Sequence, residues 1–138
     1  MSTIPAIDPR TGELVDEIPV TDLHAIPAAI QAARLAQTEW FERSLDLRKD
    51  AVYALHQGFL SQAEAIASAL AKDCGRPQGE AWTAEIVANH ELFGWWLGNI
   101  DDLLTATPVD LNPINYPGKS GRVRLDPKGV IGLITPWN

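Results

Sequence analysis

The sequence predicts an α/β chain, and three observations carry that reading. Short extended arms at the N-terminus are separated by a strong turn signal. A helical period then governs most of the chain from Asp22 to Leu104. Near the end, Val130-Ile131-Gly132-Leu133-Ile134-Thr135 is a nearly unbroken apolar run. A strand buried on both faces of a parallel sheet reads this way.

The arms come first. Asp8-Pro9-Arg10-Thr11-Gly12 is a turn, because proline presets φ and glycine accepts φ > 0. Ile4 to Ile7 and Glu13 to Val20 flank it as extended segments. Pro5 and Pro19 confine them to sheet edges, since proline donates no ladder hydrogen bond.

Asp22 is a candidate N-cap for the first helix, with Pro27 near its true start. Ile26, Ile30 and Ala33 share one face, and the many alanines allow close packing. A second helix spans about Leu45 to Leu60, with Val52, Leu55 and Phe59 at steps of three and four. Ser61-Gln62-Ala63-Glu64 has the form of a capping box and predicts a break at Ser61. A third helix then runs to about Asp73, and Cys74-Gly75-Arg76-Pro77 ends it. The fourth and longest helix runs from about Gly79 to Leu104. Its stripe of Trp82, Ile86, Phe93, Leu97, Ile100 and Leu104, widened by Trp95 and Trp96, predicts burial by more than one neighbour.

Residues 105–121 read as a loop punctuated by prolines and glycines. Arg122 to Asp126 alternates charged and apolar residues, the pattern of a strand with one wet face. Asp126-Pro127-Lys128-Gly129 is a turn, and the buried-type strand Val130–Thr135 follows, leading into Pro136-Trp137-Asn138.

Composition bounds the function. The chain has 138 residues, 46% hydrophobic and 21% charged, a balance that excludes disorder and suits one domain or less. A net charge of −7 disfavours nucleic acid and anionic membrane surfaces. One cysteine, Cys74, excludes an internal disulfide framework. The first residues show no basic segment and no apolar core of a secretory signal, and no stretch approaches the ~20 apolar residues of a membrane span. The expectation is a soluble chain in a reducing, cytoplasmic setting.

Few residues offer chemistry. Ligands of open α/β sheets sit outside the carboxyl ends of the strands. Thr135, Pro136, Trp137 and Asn138 follow such a strand, with a flat apolar wall and a carboxamide donor. From spacing alone a core Trp137 and a turn Asn138 stand level with a ligand-facing pair. Cys74 lies at a helix C-terminus, where the dipole disfavours a thiolate, so it reads as a packing residue. His24, His56 and His90 are widely separated and read as surface or capping residues. His90-Glu91 lacks a histidine at i+4 for a metal site. Gly118-Lys119-Ser120 lacks the earlier glycine of a phosphate loop, because position 113 is proline. Asp101-Asp102 reads as a solvated helix end.

Four segments together resemble the N-terminal part of the NAD(P)-dependent aldehyde dehydrogenase superfamily. Ile7-Asp8-Pro9-Arg10-Thr11-Gly12-Glu13 resembles its opening Asn-Pro-x-Thr-Gly-Glu. The alanine-rich helix ending in Arg34-Leu35-Ala36 before Trp40 resembles its first helix. Asp73-Cys74-Gly75-Arg76-Pro77 resembles its Glu-Thr-Gly-Lys-Pro. The run Pro127 to Asn138 is similar to its Pro-x-Gly-Val…Ile-x-Pro-Trp-Asn, the most specific of the four.

The resemblance implies an incomplete aldehyde dehydrogenase fold. Residues 1–104 would be the N-terminal helical part of the cofactor domain. Residues 105–128 would be an oligomerisation arm, with Arg122 to Asp126 pairing with a partner, and so the likeness implies a homo-oligomer. Residues 129–138 would be the first strand of a Rossmann-like cofactor domain. In such enzymes a cysteine thiolate attacks an aldehyde, hydride passes to NAD or NADP, and water releases the acid from a thioester. Asn138 matches the asparagine whose amide holds the oxyanion. Ile134, Thr135, Pro136 and Trp137 match backbone along the cofactor. Ile7 and Glu85 fall near the family's monovalent-cation site. The family's nucleophilic cysteine and general-base glutamate match nothing here, Cys74 included, so this chain alone is expected to be inactive. Two other readings stand beside this one. The chain would be an interaction module that pairs with a full-length homologue or a complementary half, or a non-functional remnant.

Overall fold

The structure, a computed structural model, describes residues 2–135. It begins with an antiparallel hairpin of β1 (Thr3–Ile7) and β2 (Leu14–Pro19). The register runs from Thr3 opposite Pro19 to Ile7 opposite Leu14, with a bulge between Ala6 and Ile7. The turn between them is the one predicted. Gly12 adopts φ 73°, and its N–H reaches the Asp8 carbonyl at 2.8 Å. Both prolines lie in this two-stranded sheet, where every strand is an edge.

Asp22 caps a short 3₁₀ turn, its carboxylate accepting the His24 N–H at 2.9 Å. Helix α1 (Ile26–Glu42) starts with Pro27 in its first turn, as expected. Its alanine-rich face finds no extensive neighbour among the described residues, and no residue of α1 is buried.

Helix α2 (Leu45–Ser61) begins at Ser44, whose Oγ accepts the Leu47 N–H at 3.3 Å. Helix α3 (Ala63–Cys74) follows directly. The predicted capping box does not form. Ser61 is still helical, and its hydroxyl donates to the Gly58 carbonyl at 2.8 Å. Gln62 occupies the cap position without a side-chain bond, and Glu64 instead accepts from Gln78 Nε2 at 2.6 Å. The break thus comes one residue later, where the α2 backbone has already used Ser61. Gly75 ends α3 in the left-handed region, φ 67°, as its position required.

The predicted long helix is composite. A single turn, α4 (Gln78–Ala81), passes into a π turn (Trp82–Val87) and then α5 (Ala88–Leu104). The π turn has a packing reason. Ala81 and Ile86 are five residues apart, about 140° around a regular helix, yet both are buried in one cluster with Ala63 and Ala67 of α3. An extra residue in the turn brings both to the same side. Phe59, Ile66 and Leu70 pack on this cluster from α2 and α3. Across α2 and α5, Lys49 bonds the Asp101 carboxylate. The expected packing of this span against more than one neighbour is observed, α3 meeting Ala81 and Ile86 and α2 lying along α5, but its tryptophans are not covered by either. Trp82, Trp95 and Trp96 remain exposed, because α2 is the main element laid against α5.

The segment expected to be a loop contains β3 (Thr107–Val109), which pairs antiparallel with β4 (Gly121–Val123). The strand predicted at Arg122 to Asp126 is therefore shorter, starts earlier and finds its neighbour within this chain. Val130–Thr135 forms no strand. A parallel strand exists only through hydrogen bonds to neighbours, and no described segment lies beside it in a sheet. No helix is long and apolar enough to cross a membrane among the described residues.

Candidate functional site

The segment matched to the cofactor strand is exposed along its length. Ile134 is fully accessible, Thr135 is exposed, and Ile131 and Leu133 also face outward. Gly129 turns the chain at φ 93°, within the predicted turn Asp126–Gly129. Arg124 Nε donates to Asp126 Oδ1 at 2.8 Å just before it. Pro136, Trp137 and Asn138 lie outside the described residues. Backbone at Gly132 meets nothing within 4 Å of an added Cβ. The segment is thus open to solvent on the sides described.

The hairpin turn docks where α3 ends. At Gly75 an added Cβ would meet Pro9 Cγ at 2.6 Å and Arg10 Cγ at 3.3 Å. Glycine is needed there twice, for its positive φ and for this approach. Asp8 is buried beneath the turn. Its carboxylate takes the Arg10 backbone N–H at 2.8 Å, Arg10 Nε at 3.1 Å and Arg10 Nη2 at 2.8 Å. These Arg10 hydrogen bonds pull the Asp8 carboxyl down to about 2, and the same contact raises the guanidinium above its ordinary value.

Ile7 precedes Asp8, and Glu85 sits in the π turn. The Glu85 carboxylate receives Arg76 Nη1 at 3.3 Å. Its carbonyl accepts both the Ala88 N–H and Asn89 Nδ2, the latter at 2.6 Å. Both kinds of Glu85 oxygen are therefore engaged, one by a cation. No group of three or more metal-ligating side chains occurs among the described residues.

Two features escaped the sequence reading. His56 and His90 are not separate surface residues. His56 Nε2 and His90 Nδ1 lie 2.9 Å apart, and His56 is 5% exposed, stacked on Phe93 with ring centroids 4.8 Å apart. The signal was present, since His56 lies four residues after Val52 and three before Phe59, inside the α2 stripe. His90 likewise falls between Ile86 and Phe93. Second, a groove of about 290 Å³ opens between the end of α1, α2 and α5. Trp40, Val52, Phe93, Trp96 and Ile100 line it, with Arg48 on its wall. Cys74 is the last residue of α3 and half-buried.

The aldehyde dehydrogenase family profile matches residues 1–138. Aldehyde dehydrogenase family 2 member B4, mitochondrial, of Arabidopsis thaliana is 32% identical over 139 residues, covering 99% of this chain and 25% of that protein. A 3,6-anhydro-alpha-L-galactose dehydrogenase of Streptomyces coelicolor is 29% identical over 136 residues, covering 99% and 26%. Among solved structures, an indole-3-acetaldehyde dehydrogenase of P. syringae in complex with NAD+ and IAA superposes with a TM-score of 0.72 at 21% identity, covering 80% of this chain and 22% of that one. The chain spans about a quarter of the length of the relatives it matches.

Proposed function

We propose, on the premise that this chain belongs to the aldehyde dehydrogenase family, that it is the N-terminal part of an enzyme oxidising an aldehyde to a carboxylic acid with NAD or NADP. The observation that carries this reading is the family match over all 138 residues, ending on the Pro-Trp-Asn motif. Residues 1–104 are the helical part of the cofactor domain, 105–128 the arm that assembles a homo-oligomer, and 129–138 the first cofactor strand. Ile134, Thr135, Pro136 and Trp137 present backbone and an apolar wall to NAD(P), which supplies the hydride acceptor. The open surface around Gly132 is compatible with that role. Asn138 donates its carboxamide N–H to the substrate oxygen as negative charge gathers there. Ile7 and Glu85 stand near the position of the family's monovalent-cation site.

These 138 residues alone do not turn over. The test is to follow NADH or NADPH formation with a panel of aldehydes. The chain by itself is expected to give none. Fused to the part of the Arabidopsis relative that follows its matched segment, it is expected to give turnover. In that fusion Asn138→Ala lowers kcat by a factor of about 10²–10³. Turnover by the chain alone, or an Asn138→Ala rate equal to the parent, overturns the reading.

A further inference from the structure

Two of the chain's three histidines meet between α2 and α5, with His56 Nε2 standing 2.9 Å from His90 Nδ1. This is an ordinary hydrogen-bond length, and it limits the protons the pair can hold. In two neutral rings one facing nitrogen carries the hydrogen and the other accepts it. A charged ring beside a neutral one still makes the bond, and makes it stronger. Two charged rings carry hydrogen on every nitrogen, so two donors face each other and no acceptor is left. His56 has little room to turn away. It is 5% exposed and stacked on Phe93, with ring centroids 4.8 Å apart and planes 14° from parallel. Phe93 is itself set against Phe59 of α2. His90 is exposed and gives solvent protons their route to the pair.

No carboxylate stands ready to offset a second charge. Among the described residues neither ring is bonded to one. On α2, Asp46, Arg48 and Asp50 lie nearer the start of the helix, Tyr53 is exposed, and Lys49 is bonded to Asp101 of α5. On α5, Glu91 beside His90 is exposed, and Asp102 lies in the last turn. Glu85 of the π turn is held by Arg76. Two imidazoles fall short of the three or four protein ligands of a zinc site, and no group of three metal-ligating side chains occurs among the described residues. A proton therefore suits the space between the rings better than a metal ion.

We propose that the His56–His90 pair is a pH-sensitive latch between α2 and α5. It holds with the rings neutral or singly charged and opens when both are charged. The closed pair takes up at most one added proton and the open pair two, so the latch weakens as pH falls. A free histidine becomes charged at about pH 6.5, and opening sets in below that. Opening frees α2 from the helix that is its main neighbour. The latch goes beyond the enzymatic reading and needs no part of it.

The experiment follows amide hydrogen exchange of the 138-residue chain from about pH 7.5 to about pH 4.5, each rate taken relative to an unfolded chain at the same pH. Around His56 and His90 protection is expected to fall by a factor of about ten or more, and further than in α3. His56→Gln and His90→Asn set a non-titrating amide where Nε2 and Nδ1 stand, and each should remove this fall. His24→Gln alters the third histidine and should leave it. Protection that does not fall, or that falls equally in His56→Gln and His90→Asn, overturns the proposal. If either variant unfolds, imidazole nitrogen NMR of the unaltered chain decides. Charging of the second ring together with loss of protection supports the latch, and two charged rings with protection kept overturn it. If α2 and α5 of the isolated chain exchange too fast to follow, the fusion with the Arabidopsis segment is titrated in the same way and judged by the same outcomes, whether or not it oxidises an aldehyde.

Discussion

Asp8 couples sequence, turn and charge at a single residue. It closes the hairpin turn through its carbonyl and N–H, and it holds Arg10 through both carboxylate oxygens. Its carboxyl is lowered to about 2, against roughly 3.9 for an unstructured aspartate. A lowered folded value adds stability that is complete above the unfolded value and is lost as pH falls toward the folded one. Amide protection at Gly12 and Thr11 is therefore expected to be constant above about pH 4 and to fade between there and about pH 2. Asp8→Asn should flatten that dependence. A carboxyl-carbon NMR titration checks it, and a midpoint near 4 for Asp8 would refute the account. The neighbouring Gly75 gives a second expectation. Gly75→Ala forces a Cβ into the left-handed region, which costs about 1–2 kcal/mol, and drives it against Pro9 at 2.6 Å. Urea unfolding should show a loss at least that large, with Gly12→Ala, which meets nothing within 4 Å, losing less.

The helix caps make their predictions at the scale of the element. Ser44 accepts the Leu47 N–H and opens α2, so Ser44→Ala should cost about 1 kcal/mol. Ser61 only back-bonds to Gly58 inside the helix, so Ser61→Ala should change stability by less than about 0.5 kcal/mol. Equal losses, measured by thermal or urea unfolding, would restore the capping box. This contrast also shows what was legible. The stripes of α1, α2 and α5 are local and periodic, and so were the Asp22 cap, the Gly75 stop and the Asp8–Gly12 turn. The π turn was not, because it answers to where Ala81 and Ile86 meet α3 rather than to any local pattern. Strand β3 is three residues with Pro108 at its centre, and nothing in that stretch announces its pairing with β4. The His56–His90 contact joins positions 34 apart, so only the packing of α2 on α5 reveals it. Val130–Thr135 carries a strand pattern whose realisation depends on neighbours. Of the matched site, Ile134 and Thr135 are seen as open backbone, and the motif itself lies outside the described residues.

The whole molecule is limited by its core. The buried apolar residues among those described are four alanines and one isoleucine, Ala63, Ala67, Ala71, Ala81 and Ile86. Alanine removes little apolar area, and at roughly 25 cal/mol per Å² the stabilisation from this cluster is small. Large side chains that could add to it, such as Trp95 at 52% exposure and Leu133 at 82%, face outward. Stability should therefore be graded rather than uniform. Hydrogen exchange of the 138-residue chain is expected to be slowest in α3, the π turn and the start of α5. Exchange in α1 and residues 124–135 should approach the rate of an unfolded chain, because no extensive packing covers α1 and no ladder holds 124–135. The thermal transition should be broad for the same reason. Supplying the rest of the enzyme, as in the fusion with the Arabidopsis segment, should slow exchange first along α2 and α5 and then in Val130–Thr135 as that strand gains neighbours. Protection of Val130–Thr135 equal to that of α3 in the isolated chain would contradict this view. It would mean that the chain completes its own sheet and that its open apolar faces need no cover.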